Sequence, residues 1–326
     1  MQLISAALLM LALHTSSCVA QRNLNWNSFF DNGQVSSSFL ANTDNAYAIT
    51  RFSCADAVFT NFGNVLAGGY VQGSTPVAQA AYGLGLCSYL RPTATGAVSA
   101  KAAAISTLQA AASQYAPFSA IDHTVAFKQL CITFDLLRPD LDAATVTAFK
   151  GLVAKLIPDG LAFLGAVKPK NFIQDNYASS IASMNAICAQ TIGDATNVAA
   201  AQTKFLSVEL SSNQAVANIF DDGTSYDFKG RDAMFYHAVT VSSYCDIARH
   251  MPDKYLTPDQ WKLIERGIYF VQQFYVVPNV QNQAALVYHR EFMTTQYPPD
   301  QTTLHGDLYA HPTNKQIVTS FPIHIV

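Results

Sequence analysis

The sequence predicts an all-α protein: a single α/α toroid, an incomplete barrel of helical hairpins, with short irregular extensions at both ends. Three observations point there. Apolar residues recur at helical spacing nearly throughout, the spacing of the helices themselves is regular, and strand-like runs are confined to the end of the chain.

Residues 1–20 come first and read as a secretory signal peptide. An apolar run from Ala6 to Leu13 leads to Cys18-Val19-Ala20, which places small residues where a signal peptidase cuts. The run is far shorter than the ~20 residues a membrane span needs. A secreted protein starting near Gln21 is expected, with residues 21–326 forming one domain. Residues 21–50, rich in Asn and Ser, are expected to wrap around it.

The helices follow in order. Ile105, Leu108, Ala112 and Tyr115 form one apolar stripe; Phe127, Leu130, Phe134 and Leu137 form the next. Val146, Phe149, Val153 and Leu156 continue the series, as do Tyr177, Ile181, Met184 and Cys188. Further stripes run through Ala201, Phe205 and Val208, and through Met234, Ala238, Val241, Cys245 and Ala248. The helix after Thr257 is the best marked: Thr257 can cap it, Pro258 suits its first turn, and Gln260 completes a capping box. Trp261, Ile264, Ile268 and Val271 mark its buried face. Runs at 276–280 and 317–326 are rich in β-branched residues but broken by Pro278 and Pro322.

Cys131, Cys188 and Cys245 stand 57 residues apart each time, and the intervening helices begin near Asp142, Val198 and Thr257 at almost the same interval. A repeating two-helix unit follows, and irregular aromatic loops without polar capping repeats favour a toroid over an open solenoid. Removal of Cys18 with the signal leaves five cysteines, so at least one thiol stays free, and their pairing is open. No cysteine pair has zinc spacing and no Asn-x-Ser/Thr sequon occurs.

Composition narrows the function. Only 41 of 326 residues are charged (19 Lys+Arg, 22 Asp+Glu) and half are apolar, which excludes a disordered chain; a net charge of −3 offers nucleic acid no basic surface. Nucleophile-elbow, Walker, HExxH and dinucleotide-binding motifs are absent. Against this background three polar clusters stand out: Gln174-Asp175-Asn176-Tyr177, the stretch Asp221 to His237, and Tyr288-His289-Arg290-Glu291-Phe292. From Asp221 to Asp232 six positions in twelve are charged. Simpler roles compete: Asp175 or Asn176 as a helix cap, Asp221 to Ser225 as a turn, His237 as a structural histidine.

The segment Asp222-Gly223-Thr224-Ser225-Tyr226-Asp227-Phe228-Lys229-Gly230-Arg231-Asp232-Ala233-Met234-Phe235-Tyr236-His237 resembles the hallmark of the alginate lyase superfamily, a turn leading to an Arg-Asp-Ala-x-x-Tyr-His helix. Other parts fall in order. Ala80 to Leu86 with Lys101-Ala102 resembles an early helix pair, and Thr133 to Leu137 is similar to a Tyr-Asp-Leu-Leu segment. Asp175-Asn176 is similar to an Asn-Asn pair and Glu291-Phe292 to a late Glu-Phe. The likeness spans about residues 76–292, and the family fold is an α/α toroid.

The resemblance implies β-elimination in a uronic-acid polysaccharide such as alginate or glucuronan: C5 loses a proton beside the carboxylate and the glycosidic oxygen leaves C4. Donors must neutralise the carboxylate, and a base and an acid must flank the bond. The implied catalytic set is Asn176 and Arg231 on the carboxylate, Tyr236 as acid and in some substrates base, and His237 in support or sugar contact. Because a tyrosine ordinarily titrates near ~10, Arg231 and His237 would have to ease its ionisation. Tyr177 and Tyr82 would stack on sugar rings.

Two departures follow. Where well-known alginate lyases carry a histidine after the second Asn, this chain has Tyr177, so Tyr177, His237, His123 or His289 would take over. Some members place the key arginine farther upstream, near Lys229, which is a reserve for that charge. The expected protein is a secreted monomer that needs no cofactor or metal and binds an acidic polysaccharide, but neither nucleic acid nor membrane. Two alternatives stay open: a toroid that binds acidic glycans without chemistry, and a glycoside hydrolase using two of Asp222, Asp227 and Glu291.

Overall fold

A computed structural model describes residues 22–26, 30–31, 34–35, 56–168, 174–231 and 234–275. These are mostly helical, apart from a two-residue antiparallel ladder pairing Phe30–Asp31 with Gln34–Val35. The helices are α1 (Asp56–Ala67), α2 (Thr75–Leu90), α3 (Ala97–Ser113), α4 (Asp122–Leu137), α5 (Ala143–Val167), α6 (Asn176–Ile192) and α7 (Ala195–Ala201). A π-helical turn, Gln202–Leu206, carries α7 into α8 (Ser207–Glu209); α9 (Tyr226–Arg231), α10 (Met234–His250) and α11 (Pro258–Tyr275) follow. The signal segment, the two strand-like runs and the cluster 288–292 lie outside the described residues.

The expected starts are set by side chains that answer the orphan N–H groups of a first turn. Asp142 caps α5 through the Thr145 N–H at 2.6 Å. The Thr257 capping box forms in both directions: the Gln260 N–H donates to Thr257 Oγ1 at 3.2 Å, and the Thr257 N–H donates to Gln260 Oε1 at 2.9 Å. The helix expected near Val198 starts three residues earlier, at Ala195, because Asp194 caps α7 through the Asn197 N–H.

Alternate helices pack side by side in two rows. One row is α2, α4, α6 and α10; the other contains α1, α3 and α5; α7 packs on α6 and α11 on α10. The first row is parallel, because like ends meet. Arg138 at the end of α4 donates to the carbonyl of Thr191 at the end of α6 (2.7 Å), and Ser179 and Thr240 meet near the starts of α6 and α10 (3.5 Å). The starts of these helices, and the loops that lead into them, therefore share one end of the molecule.

Within this row the 57-residue interval has a physical meaning. Cys131 on α4 and Cys188 on α6 face each other and form a disulfide with Cα atoms 5.3 Å apart, while Cys245 on α10 is a free thiol. Burial pushes the Cys245 thiol up to about 12. Cys87 on α2 is also disulfide-bonded. Lys128 on α4 reaches Asp246 on α10 at 2.5 Å, both buried, although α6 packs against both helices; the row thus curves around α6.

The wrapping expected of the N-terminal stretch is visible at residues 22–26. The buried Asp135 carboxylate accepts from the backbone of Asn23 and Leu24 and from the Trp26 indole, each at 2.9 Å. Arg22 donates to the Leu136 carbonyl and the Asn25 N–H to the His250 carbonyl. This short segment ties together the far ends of α4, α6 and α10.

Candidate functional site at the start of helix six

Asp175 precedes α6, and its Oδ1 accepts from the N–H groups of Tyr177 (2.8 Å) and Ala178 (3.0 Å). The capping role weighed for this residue is thus real. The remaining first-turn N–H, that of Asn176, donates to Oδ2 of Asp227 at 2.6 Å. Two carboxylates therefore consume the amides that might otherwise have held an anion at this helix start. Asp175 Oδ2 also meets Lys168 Nζ at 2.5 Å, and that ammonium lies 4.3 Å from the centre of the Tyr177 ring. Phe163 runs nearly parallel to the same ring, with centroids 6.3 Å apart.

The polar stretch after Asp221 folds as a turn and a short helix. Asp222 Oδ1 accepts from the N–H and hydroxyl of Thr224 (3.0 and 2.5 Å), and Gly223 sits at φ +82°. A Cβ there would fall 2.5 Å from the Arg266 carbonyl oxygen, so both backbone and packing call for glycine. Lys229 pairs with Asp222 at 2.9 Å at the surface, above the ring of Phe220. Asp227 is buried; besides Asn176 it accepts from the Thr240 hydroxyl at 3.4 Å. Arg231 closes α9.

Along α10, Tyr236 and Thr240 are four apart and share a face. Thr240 touches Asp227 and Ser179, so Tyr236, partly exposed, stands one turn nearer the helix start on the side of α6 and α9. His237, the next residue, packs between α9 and α11. Its Nε2–H donates to the Gly267 carbonyl at 3.3 Å, its ring packs edge-on to Phe228 and Phe270, and its Nδ1 is buried without a partner. Burial holds its pKa down to about 4 against the bond to Gly267, leaving a neutral ring. That placement removes sugar contact from His237 and leaves it the supporting role.

Behind the α6 start runs a buried polar chain that the sequence did not suggest. Asn218 Nδ2 donates to the Asp175 carbonyl (3.1 Å) and to the Tyr244 hydroxyl (3.0 Å), which in turn donates to Glu209 Oε2 (2.5 Å). Burial raises the Glu209 carboxyl to about 8, outweighing the Tyr244 bond.

The structure thus places Asn176 and Tyr236 on the two helices of the seam between α6 and α10, with α9 alongside, while the Tyr177 ring lies on the other side of α6, against Phe163 of α5 and Lys168. Asn176 itself is buried, 4% exposed. Two other residues are displaced from the expected roles. Tyr82 is packed into the core, where it presents no ring to a sugar. His123 is buried against Phe118 and Phe127, its Nδ1 3.5 Å from Gln72 Nε2, and burial lowers its pKa. His289 lies outside the described residues. For the hydrolase alternative, Asp227 is committed to Asn176 and Thr240, Asp222 to Lys229 and Thr224, and Glu291 is not described.

Among the described residues no group of three His, Cys, Asp or Glu side chains is placed to hold a metal ion, and no helix is long and apolar enough to cross a membrane. The class the fold defines is an all-α protein of stacked helical hairpins. Compared with protein-family models, curated proteins and solved structures, the chain matches none.

Proposed function

We propose that this chain is a secreted polysaccharide lyase that cleaves a uronic-acid polymer by β-elimination on an α/α toroid. The observation that carries the proposal is the seam itself. Asp227 and Thr240 join the start of α6 to α10, so that Asn176 and Tyr236, two residue types the elimination needs, sit on adjoining parallel helices. The curvature of the α4, α6, α10 row supports the toroid. The Cys131–Cys188 disulfide supports an oxidising compartment.

In this account Asn176 donates to the substrate carboxylate and Arg231 adds positive charge, with Lys229 in reserve. Their donors stabilise the charge that builds when the C5 proton leaves. Where the C5 proton lies on its side, Tyr236 removes that proton and passes it to the departing C4 oxygen; where it lies on the opposite face, Tyr177, at the place of the family's histidine, takes the C5 proton while Tyr236 protonates the C4 oxygen. His237, neutral and buried, fixes α10 against α11. The chemistry uses side chains alone.

One observation favours a second reading. Tyr177 occupies the place of the family's histidine, and both described histidines at this end, His123 and His237, are buried. A toroid that binds acidic glycans without cleaving them fits that.

Incubation with a set of polyuronates separates these readings. A lyase generates ultraviolet absorbance from the new C4–C5 double bond. New reducing ends without absorbance would indicate hydrolysis, and binding without either would leave the glycan-binding reading; each of those two results would overturn the lyase.

A further inference from the structure

Resting on the reading above, we propose that Asn218 is a positioning residue for Asn176: together with Asp227 it clamps the peptide unit from which α6 and the Asn176 side chain set out.

The peptide between Asp175 and Asn176 has one carbonyl and one N–H, and the same loop holds both. The Asn176 N–H donates to Asp227 Oδ2 at 2.6 Å, and the Asp175 carbonyl accepts from Asn218 Nδ2 at 3.1 Å. The two jaws are tied to each other at the foot of that loop. The N–H of Tyr226, next to Asp227, donates to the Asn218 carbonyl at 3.0 Å, and Ile219 and Ser225 form a β-bridge beyond it. At the tip, the Phe220 N–H donates to the Thr224 carbonyl and Gly223 makes the turn. Gln174 adds to the hold, because its Nε2 donates to the carbonyls of Ala215 and Ala217, just ahead of Asn218 (3.0 and 3.1 Å).

Asn218 is itself braced. Its N–H donates to the Glu209 carbonyl at 2.7 Å, and its side-chain amide also reaches the Tyr244 hydroxyl of α10 at 3.0 Å. A carbonyl can only accept, so Asp175 fixes which end of that amide faces α6. The side chain is fully buried, and among the described residues its Oδ1 has no partner. Burying an unpaired acceptor costs stability, so the contribution of this side chain lies in the two bonds it donates. A peptide plane held from both sides leaves Asn176 little freedom to turn, and small misplacements of a reacting group slow a reaction steeply.

The test compares Asn218→Ala with Tyr244→Phe. Asn218→Ala opens one side of the clamp without orphaning a buried group, because the Asp175 carbonyl keeps the Ser179 N–H and the Tyr244 hydroxyl keeps Glu209. Tyr244→Phe breaks the same buried chain but leaves the bond from Asn218 to Asp175. Where both variants are folded, Asn218→Ala should lower kcat on a polyuronate about tenfold or more with KM within about threefold of the wild type, whereas Tyr244→Phe should lose stability and keep both constants. Amide exchange in Asn218→Ala should quicken at Asn176, Tyr177 and Ala178 and stay unchanged in the later turns of α6. An unchanged kcat in Asn218→Ala, equal kcat losses in the two variants, or unchanged exchange at the start of α6 would each overturn the inference and leave the functional reading standing. If the wild type binds oligouronates without cleaving them, calorimetric affinity replaces the kinetic constants with the same outcomes. A wild type that neither binds nor cleaves any polyuronate overturns the functional reading first, and this inference with it.

Discussion

The backbone N–H of Asn176 donates to Oδ2 of Asp227 at 2.6 Å, across 51 residues of sequence. This bond, with the Thr240 hydroxyl on the same oxygen, holds the two helices of the seam in register. Asp227→Ala would leave a buried N–H without an acceptor and should cost about 1–3 kcal/mol. Denaturant unfolding measures that loss. Asp227→Asn, which keeps an acceptor oxygen, should cost less, and both variants should lower the rate of cleavage.

The N-terminal segment gives a second, optical prediction. Trp26 is buried with its indole bonded to Asp135, and the sequence has only one other tryptophan, Trp261. Asp135→Ala removes the acceptor of three donors and also the ion-pair partner of Arg138, which keeps its bond to the Thr191 carbonyl. Tryptophan emission should shift to the red as residues 22–26 come away, with stability falling by about 3 kcal/mol or more. An unshifted spectrum would contradict the anchoring role of Asp135.

Stability should respond to pH through two buried groups of opposite sign. His237 takes up its proton at about 4 when folded against an ordinary 6.5, so its contribution is complete above 6.5 and is lost as pH falls towards 4. Glu209 behaves inversely: folded, it keeps its proton up to about 8 against an ordinary 4.5, so its contribution fades as pH rises through that window. Melting temperatures across pH should show His237→Phe flattening the acid side and Glu209→Gln flattening the alkaline side.

The capping box at α11 provides a local check. Thr257→Ala removes the acceptor of the Gln260 N–H and should cost about 1 kcal/mol without changing activity, because Thr257 stands at the start of α11, ten residues before the Gly267 that meets His237. Equilibrium unfolding and a cleavage assay together decide it.

What the sequence disclosed is local in its physics. Helical stripes, the Thr257 box and the Asp175 cap depend on residues within a turn or two of each other, and each forms as expected. Even the 57-residue cysteine interval carried register, since Cys131 and Cys188 meet. The site was legible in part: Asn176 and Tyr236 adjoin one seam, yet the periodicity that placed His237 on a helix could not say which neighbour it would face. Roles fixed by distant partners stayed hidden. Asp135 is explained by residues more than 100 positions away, and Asn218 by Asp175 and Tyr244.

The most direct test of the central claim is the ultraviolet absorbance of the unsaturated uronate product, followed for the wild type and for folded Tyr236→Phe and Asn176→Ala variants on the best polyuronate. The account predicts a steady rise for the wild type and a loss of at least about a hundredfold in kcat/KM for each variant, as expected for a general acid or an oxyanion donor. Full activity in both variants, or no absorbance from the wild type on any polyuronate, would contradict it.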